Sequence, residues 1–150
     1  MWPIVSFCVF LFLTSWLFAL VEIHIEGPHG WATSLPTWRV QNRITRIFYG
    51  GKPLTGYHLY VQLFVLLMSH APLLIGVHPP TWAGEARVLS FFILFWILED
   101  WLWFVLNPAY GIRKFRKEHV WWHAKDWWWI MPRDYWIFLP VGIWLLVISL

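Results

Sequence analysis

Four long apolar stretches constrain the fold of this chain more than any other feature. They cover residues 2–21, 56–77, 88–106 and 135–150. A helix needs roughly 20 apolar residues to cross about 30 Å of hydrocarbon, and the last stretch approaches that length with Arg133 at its interface. Since 59% of the residues are hydrophobic and 13% are charged, we predict a single all-α integral membrane domain over residues 1–150, folded as a four-transmembrane-helix bundle.

The first apolar stretch resembles a signal peptide in length but lacks the flanking features of one. No Lys or Arg precedes it, and no small-x-small cleavage pattern follows it. We therefore expect it to be retained as a helix. Gly27 and Pro28 favour a helix end near Glu26.

Basic residues are divided unevenly among the segments between the apolar stretches. The first loop holds four of the 11 Lys and Arg residues and the third loop holds six, whereas Arg87 alone falls on the opposite side. Short loops rich in Lys and Arg stay in the cytoplasm. Loops one and three are therefore predicted to be cytoplasmic and both termini non-cytoplasmic. We expect no nucleic-acid partner, because these charges flank hydrophobic spans and do not line a folded basic surface.

Both basic loops are also rich in Trp, which predicts that they lie on the membrane surface. Arginines that recur every three or four residues predict an amphipathic helix over residues 37–48, with Thr37 as its N-cap. Residues 112–129 mix basic and aromatic side chains in the manner of an interfacial helix. Indole rings suit the headgroup region. Membrane lipids are accordingly the first partners that we expect.

The third apolar stretch contains two adjacent acids, Glu99 and Asp100. A charged carboxylate in hydrocarbon costs at least about 2.5 to 3.5 kcal/mol, so such residues normally face the interior of a bundle. Adjacent positions on a helix point about 100° apart, so the two acids need not share a role. We predict both as catalytic, with one acting as general acid or base; hydrogen bonding across the bundle is the structural alternative.

Candidate metal ligands accumulate at the same predicted membrane boundary. If the first helix continues, Glu22 and Glu26 share one face. If the chain is extended there, Glu22, His24 and Glu26 share a face instead. A second pair of histidines is spaced four apart, which places both on one face of a helix. The predicted ligands are Glu22, His24, Glu26, His29, His119 and His123. Oxygen and imidazole ligands suit a divalent ion, either iron, manganese or zinc; the alternative is solvated side chains.

These groups together predict a small, metal-dependent integral membrane enzyme. It would act on a lipid or other hydrophobic substrate at the cytoplasmic boundary, by oxidation or hydrolysis. Two alternatives stay open: a non-catalytic accessory or pigment-binding subunit, and a carrier or proton-relay protein that uses the acid pair. A homo-oligomer or a larger membrane complex is compatible with each of them. The motifs assign the chain to no family.

Overall fold

The computed structural model describes residues 2–150 and is 62% helical. Its elements in chain order are α1 (Trp2–Glu26), β1 (Arg39–Val40), α2 (Arg43–Tyr49), β2 (Leu54–Thr55), α3 (Gly56–Ser69), α4 (Ala71–Leu74), α5 (Trp82–Leu106), β3 (Trp127–Trp128), β4 (Met131–Pro132) and α6 (Arg133–Ile148). A 3₁₀ turn lies at Ile112–Lys114. The strands form two antiparallel pairs, β1 with β2 and β3 with β4.

Two helices are long and apolar enough to cross a membrane. They are Ile4–Glu26, within α1, and Trp82–Leu106, which is α5. α3 has 14 residues and α6 has 16, which at 1.5 Å per residue correspond to about 21 and 24 Å. The second apolar stretch is broken at His70, where α3 ends and α4 begins with Pro72 in its first turn. Proline fits a first turn because its missing N–H has no helical acceptor there.

α5 is the central helix, packed between α1 and α6. Phe7 and Phe91 meet with ring centroids 6.1 Å apart near the start of α1 and α5, so these helices run parallel. α6 runs antiparallel to α5, with Ser90 Oγ donating to the Gly142 carbonyl at 2.8 Å. A Cβ at Gly142 would lie 2.7 Å from Leu94 Cδ2. Small residues therefore permit the close approach of these helices.

The loops gather at the end of the bundle where α1 and α5 end and α3 and α6 begin. We call residues 27–55 and 107–132 the cap. Phe104, near the end of α5, stacks on Trp122 of the cap at 5.7 Å, and the two side chains are 0% and 4% exposed. Asn107 Nδ2 joins the two segments by donating to the Gly27 carbonyl at 3.1 Å. The cap is thus a packed aromatic layer that covers one end of the helices.

The first loop differs from its predicted form. α1 ends at Glu26 and Gly27 has φ +68°, which confirms the predicted helix end. The predicted helix over residues 37–48 is wrong in its start, since α2 begins at Arg43 and its N-cap is Asn42. Residues 39 and 40 pair with β2 instead. Thr37 accepts a hydrogen bond from the Tyr57 N–H at the start of α3.

The predicted helix over residues 112–129 is also wrong. Beyond the 3₁₀ turn the chain runs through successive turns to β3. Val120, Trp122 and His123 are all buried, at 0%, 4% and 3% exposure. The cap core requires these neighbouring side chains to turn inward together, which a regular amphipathic helix on a surface does not provide. His119 and His123 therefore do not share a helix face.

Candidate functional site

A partly open cavity of about 390 Å³ lies at the cap end, between the helices and the cap. Its polar half is lined by Glu22, Glu26, Lys52, Glu99, Asp100 and His123. Its apolar half, farther from the cap, is lined by Phe92, Ile93, Ile97 and Phe138. The cavity is therefore amphipathic along the direction of the helices.

Glu26 is positioned by the cap and by the first turn of α3. Its Oε1 accepts a hydrogen bond from the Ala32 N–H and lies 3.5 Å from His58 Nε2. His58 Nδ1 is 2.7 Å from Thr55 Oγ1, the side chain that caps α3. The imidazole also stacks on Trp31, with centroids 3.9 Å apart. Because Thr55 and Trp31 fix the ring, His58 Nε2 is directed at Glu26.

Asp100 begins a row of polar groups that crosses the cavity. Its Oδ2 accepts a hydrogen bond from Tyr135 OH at 2.5 Å and lies 3.7 Å from His123 Nε2. Lys52 Nζ lies 3.4 Å from His123 Nδ1 and 3.5 Å from its Nε2. The side chain of Asp100 is 31% exposed although it lies within the bundle. The row connects the cap to α6, although the distance between His123 and Asp100 is longer than a hydrogen bond.

Lys52 is a buried cation without a carboxylate in direct contact. It is 6% exposed, and its Nζ lies 4.2 Å from the centroid of the Trp31 ring. Across residues 2–150, no carboxylate oxygen lies within 4.0 Å of this nitrogen. Burial lowers the pKa of Lys52, opposed by the negative charge of Asp100. Burial also lowers the pKa of His123, and nearby Lys52 lowers it further.

Glu99 is the most deeply buried acid of the site, at 2% exposure. Its carboxyl group lies near that of Glu22, and Glu22 Oε1 accepts from Tyr57 OH at 3.0 Å. In the described part of the chain Glu99 Oε1 has no hydrogen-bond partner, nor have the indole nitrogens of Trp96 and Trp103. Buried polar atoms without partners are uncommon and call for a functional explanation.

The structure assembles some of the predicted site residues and separates others. Five line the cavity: Glu22, Glu26, Glu99, Asp100 and His123. Three are exposed and lie outside it: His24, His29 and His119. Within residues 2–150, no three His, Cys, Asp or Glu side chains converge in a metal-binding group. The divalent metal stays a prediction.

Several groups of the site are not apparent from the sequence: Lys52, Tyr57 and Tyr135. The Gly50–Gly51 pair before Lys52 is the sequence signal that could have indicated the inward position of Lys52. Gly50 has φ +60°, and a Cβ there would lie 1.6 Å from Asp126 Oδ2. Gly51 N–H donates to the same oxygen at 2.9 Å. Because glycine has no side chain, the backbone of this turn can lie directly against loop three. This contact places Lys52 in the cavity.

Comparison with known proteins finds no matching family model, curated protein or solved structure. The cavity itself therefore has to indicate the function. Its walls offer five carboxyl groups, two imidazoles, two phenols, one ammonium group and the Gln62 amide among aromatic and aliphatic side chains.

Proposed function

We propose that the protein is a small membrane enzyme that draws an amphipathic, lipid-like substrate into the cavity and acts on it with Glu99 and Asp100. The observation that carries this proposal is the amphipathic cavity, with buried acids at the cap end and Phe92 and Phe138 at the other. Ligand sites are typically apolar with a few placed polar groups.

The apolar outer surface of the bundle supports placement in a membrane. α1 exposes Phe10 by 60% and Leu17 by 59%, α3 exposes Phe64 by 60%, and α6 exposes Trp144 by 59%. Continuous apolar surface of this kind suits lipid better than water. We propose that α3 and α6 enter the bilayer beside α1 and α5, with local thinning for their shorter length. The basic cap would then face the cytoplasm.

The apolar half of the cavity provides a route from the membrane. Phe138 lines the cavity and is 44% exposed on α6, while Gln62 lines it from α3. A substrate chain could pass between these helices, with its polar end reaching the acids under the cap. Entry from the leaflet keeps the hydrocarbon chain out of water throughout.

The two acids have environments that suit different roles. Glu99 lies beside Glu22, and a proton shared by the two carboxyl groups makes Glu99 a proton donor. Asp100, beside His123 and Tyr135, suits proton acceptance. In a hydrolysis, Asp100 takes a proton from water as the water oxygen bonds to the substrate, and Glu99 gives its proton to the departing oxygen.

A divalent ion adds to this proposal through the cavity-lining members of the predicted ligand set. Of the six predicted ligands, Glu22, Glu26 and His123 line the cavity, but they do not converge among residues 2–150, so they would have to move together to hold the ion. A metal there would polarise the substrate or activate water. Elemental analysis of the purified protein, before and after chelation, tests this part separately.

Turnover of lipids tests the proposal directly. Purified protein in nanodiscs is incubated with a total membrane lipid extract, and the lipids are quantified by mass spectrometry. We expect at least one lipid species to be converted, and Glu99→Gln to reduce this about 10² to 10⁴-fold. Glu118→Gln, an exposed acid in the cap, is the matched control and should leave conversion unchanged. Absence of any conversion by the unaltered protein would contradict an enzymatic role.

A docking or pigment-binding subunit is the second candidate, favoured by exposed indoles beside the cap. Trp129 is 82% exposed and stacks on Trp136 at 5.9 Å. Aromatic side chains are enriched at protein interfaces. This candidate predicts that the chain purifies with a larger membrane assembly or with visible absorbance, and that Trp129→Ala releases it from that assembly.

A further inference from the structure

The cavity concentrates acidic side chains although the protein as a whole is basic. The chain has a formal net charge of +3, with its basic residues concentrated in the cap segments. Asp134 is matched by Arg133 at 3.0 Å. The remaining cavity carboxyls are Glu22, Glu26, Glu99 and Asp100, and they face a single ammonium group, that of Lys52. The interior therefore disfavours an anionic headgroup.

None of these four acids is neutralised by a permanent cation in direct contact. Across residues 2–150, no Lys or Arg nitrogen lies within 4.0 Å of any of them, and their nearest basic partners are His58 and His123. Glu99 Oε1, on a side chain only 2% exposed, is a hydrogen-bond acceptor without a donor. A ligand with N–H donors would satisfy it.

The aromatic wall of the cavity already accepts an ammonium group. Lys52 Nζ lies 4.2 Å from the Trp31 centroid, in the range of a cation–π contact. Trp96, Trp103 and Trp122 line the same cavity. Lys52 thus places an ammonium group against an indole ring of this cavity without a carboxylate in direct contact.

We propose that the substrate is a lipid whose polar end carries a primary amine, bound with its ammonium group among these carboxyls and its alkyl chain along the apolar half of the cavity. This inference rests on the proposed function, whose substrate it specifies. A primary ammonium group supplies both charge and N–H donors, whereas an alcohol supplies no charge and a quaternary ammonium no donor.

Binding of four amphiphiles with one alkyl chain tests the inference. The unaltered protein in phosphatidylcholine nanodiscs is titrated with dodecylamine, dodecyltrimethylammonium, dodecanol and dodecanoate, followed by tryptophan fluorescence. We expect dodecylamine to bind at least about tenfold more tightly than each of the others. The basic surface would attract dodecanoate, so a preference for the amine reports the cavity. Tighter binding of dodecanoate or dodecanol would overturn the proposal, as would equal binding of the trimethylammonium compound.

Variants locate the binding in the cavity. Glu99→Gln should weaken dodecylamine binding about tenfold and leave dodecanol binding unchanged, whereas the exposed-site control Glu118→Gln should change neither. Glu26→Gln serves if Glu99→Gln fails to fold. Unchanged amine affinity in both cavity variants would overturn the site. Because lipid conversion is measured separately, conversion without amine preference would reject only this inference, and amine binding without conversion would reject only the enzymatic role.

Discussion

The two ends of the helical bundle hold their polar groups in opposite ways. At the end away from the cap, His70 Nε2 and Glu85 Oε1 pair directly at 3.0 Å, with the Glu85 side chain 39% exposed. At the cap end, Glu26 and Glu99 are 4% and 2% exposed, and neither touches a Lys or Arg side chain of the described residues. The first arrangement is a surface pair that contributes about 1 kcal/mol or less.

The second arrangement opposes stability, because burial of a carboxyl group without a strong partner costs free energy. Sites that cost stability are characteristic of function. The polar groups of one end are therefore paired at the surface, whereas those of the cap end line the cavity. The following predictions separate the two ends experimentally.

The largest difference is expected in turnover. Asp100→Asn should reduce lipid conversion about 10² to 10⁴-fold, because an amide cannot accept the proton that the carboxylate accepts. Glu85→Gln, at the opposite end, should leave conversion within twofold of the unaltered protein. Mass-spectrometric rates on matched protein amounts provide the measurement. Comparable losses in both variants would show that the cap end has no special role in the chemistry.

The next difference is expected in stability. Phe104→Ala should lower the free energy of unfolding by about 3 to 5 kcal/mol, because Phe104 is 0% exposed and stacks on Trp122 of the cap. Phe64→Ala, at a side chain 60% exposed on α3, should cost less than about 1 kcal/mol. Denaturant titration in detergent micelles measures both. An equal cost would contradict the description of the cap as a packed core.

A smaller effect is expected in the pH dependence of stability. Burial lowers the pKa of His123 below its usual 6.5, and the positive charge of Lys52 lowers it further. The negative charges of Asp100 and Asp134 raise this pKa but do not cancel the decrease. The unfolded chain therefore binds a proton at this site more readily than the folded one. Stability should fall as pH drops below about 6.5, by at most about 1.4 kcal/mol per pH unit.

His123→Gln isolates this contribution. Unfolding midpoints of the unaltered protein and the variant are compared between pH 5 and 8, and the difference in slope is assigned to His123. Identical slopes over that range would show that the imidazole is not held neutral by the cap.

The smallest effect is expected for the surface pair. Glu85→Gln should change the free energy of unfolding by less than about 1 kcal/mol, because its carboxylate is 39% exposed and its field is screened by water. Added salt should reduce the effect further. A cost close to that of Phe104→Ala would mean that this end is stabilised as strongly as the cap.

Part of the site was predictable from local sequence. Gly27 and Pro28 end α1 at Glu26, and a helix that continues to that point places Glu22 and Glu26 on one face. Glu99 and Asp100 attract attention because acids are costly inside an apolar stretch. Each of these inferences needs only neighbouring residues, and each of these acids lines the cavity.

The cap could not be predicted in the same way. His119 and His123 have helical spacing, yet one is exposed and the other is 3% exposed, because the chain between them turns to bury Val120 and Trp122. Lys52 belongs by composition to a basic surface loop, but close packing of Gly50 against Asp126 carries it inward. The contact of this turn with Asp126 joins residues 75 positions apart.

The sequence by itself therefore determined a helical, strongly apolar chain with several acids toward one end, whereas the structure has two helices long and apolar enough to cross a membrane. Hydropathy and charge act locally and add along the chain, so composition is sufficient for these properties. Only the tertiary structure decided that Lys52, His58, His123 and Tyr135 meet those acids around one cavity. That outcome depends on how two loops pack on the aromatic core, where shape and steric fit select one arrangement.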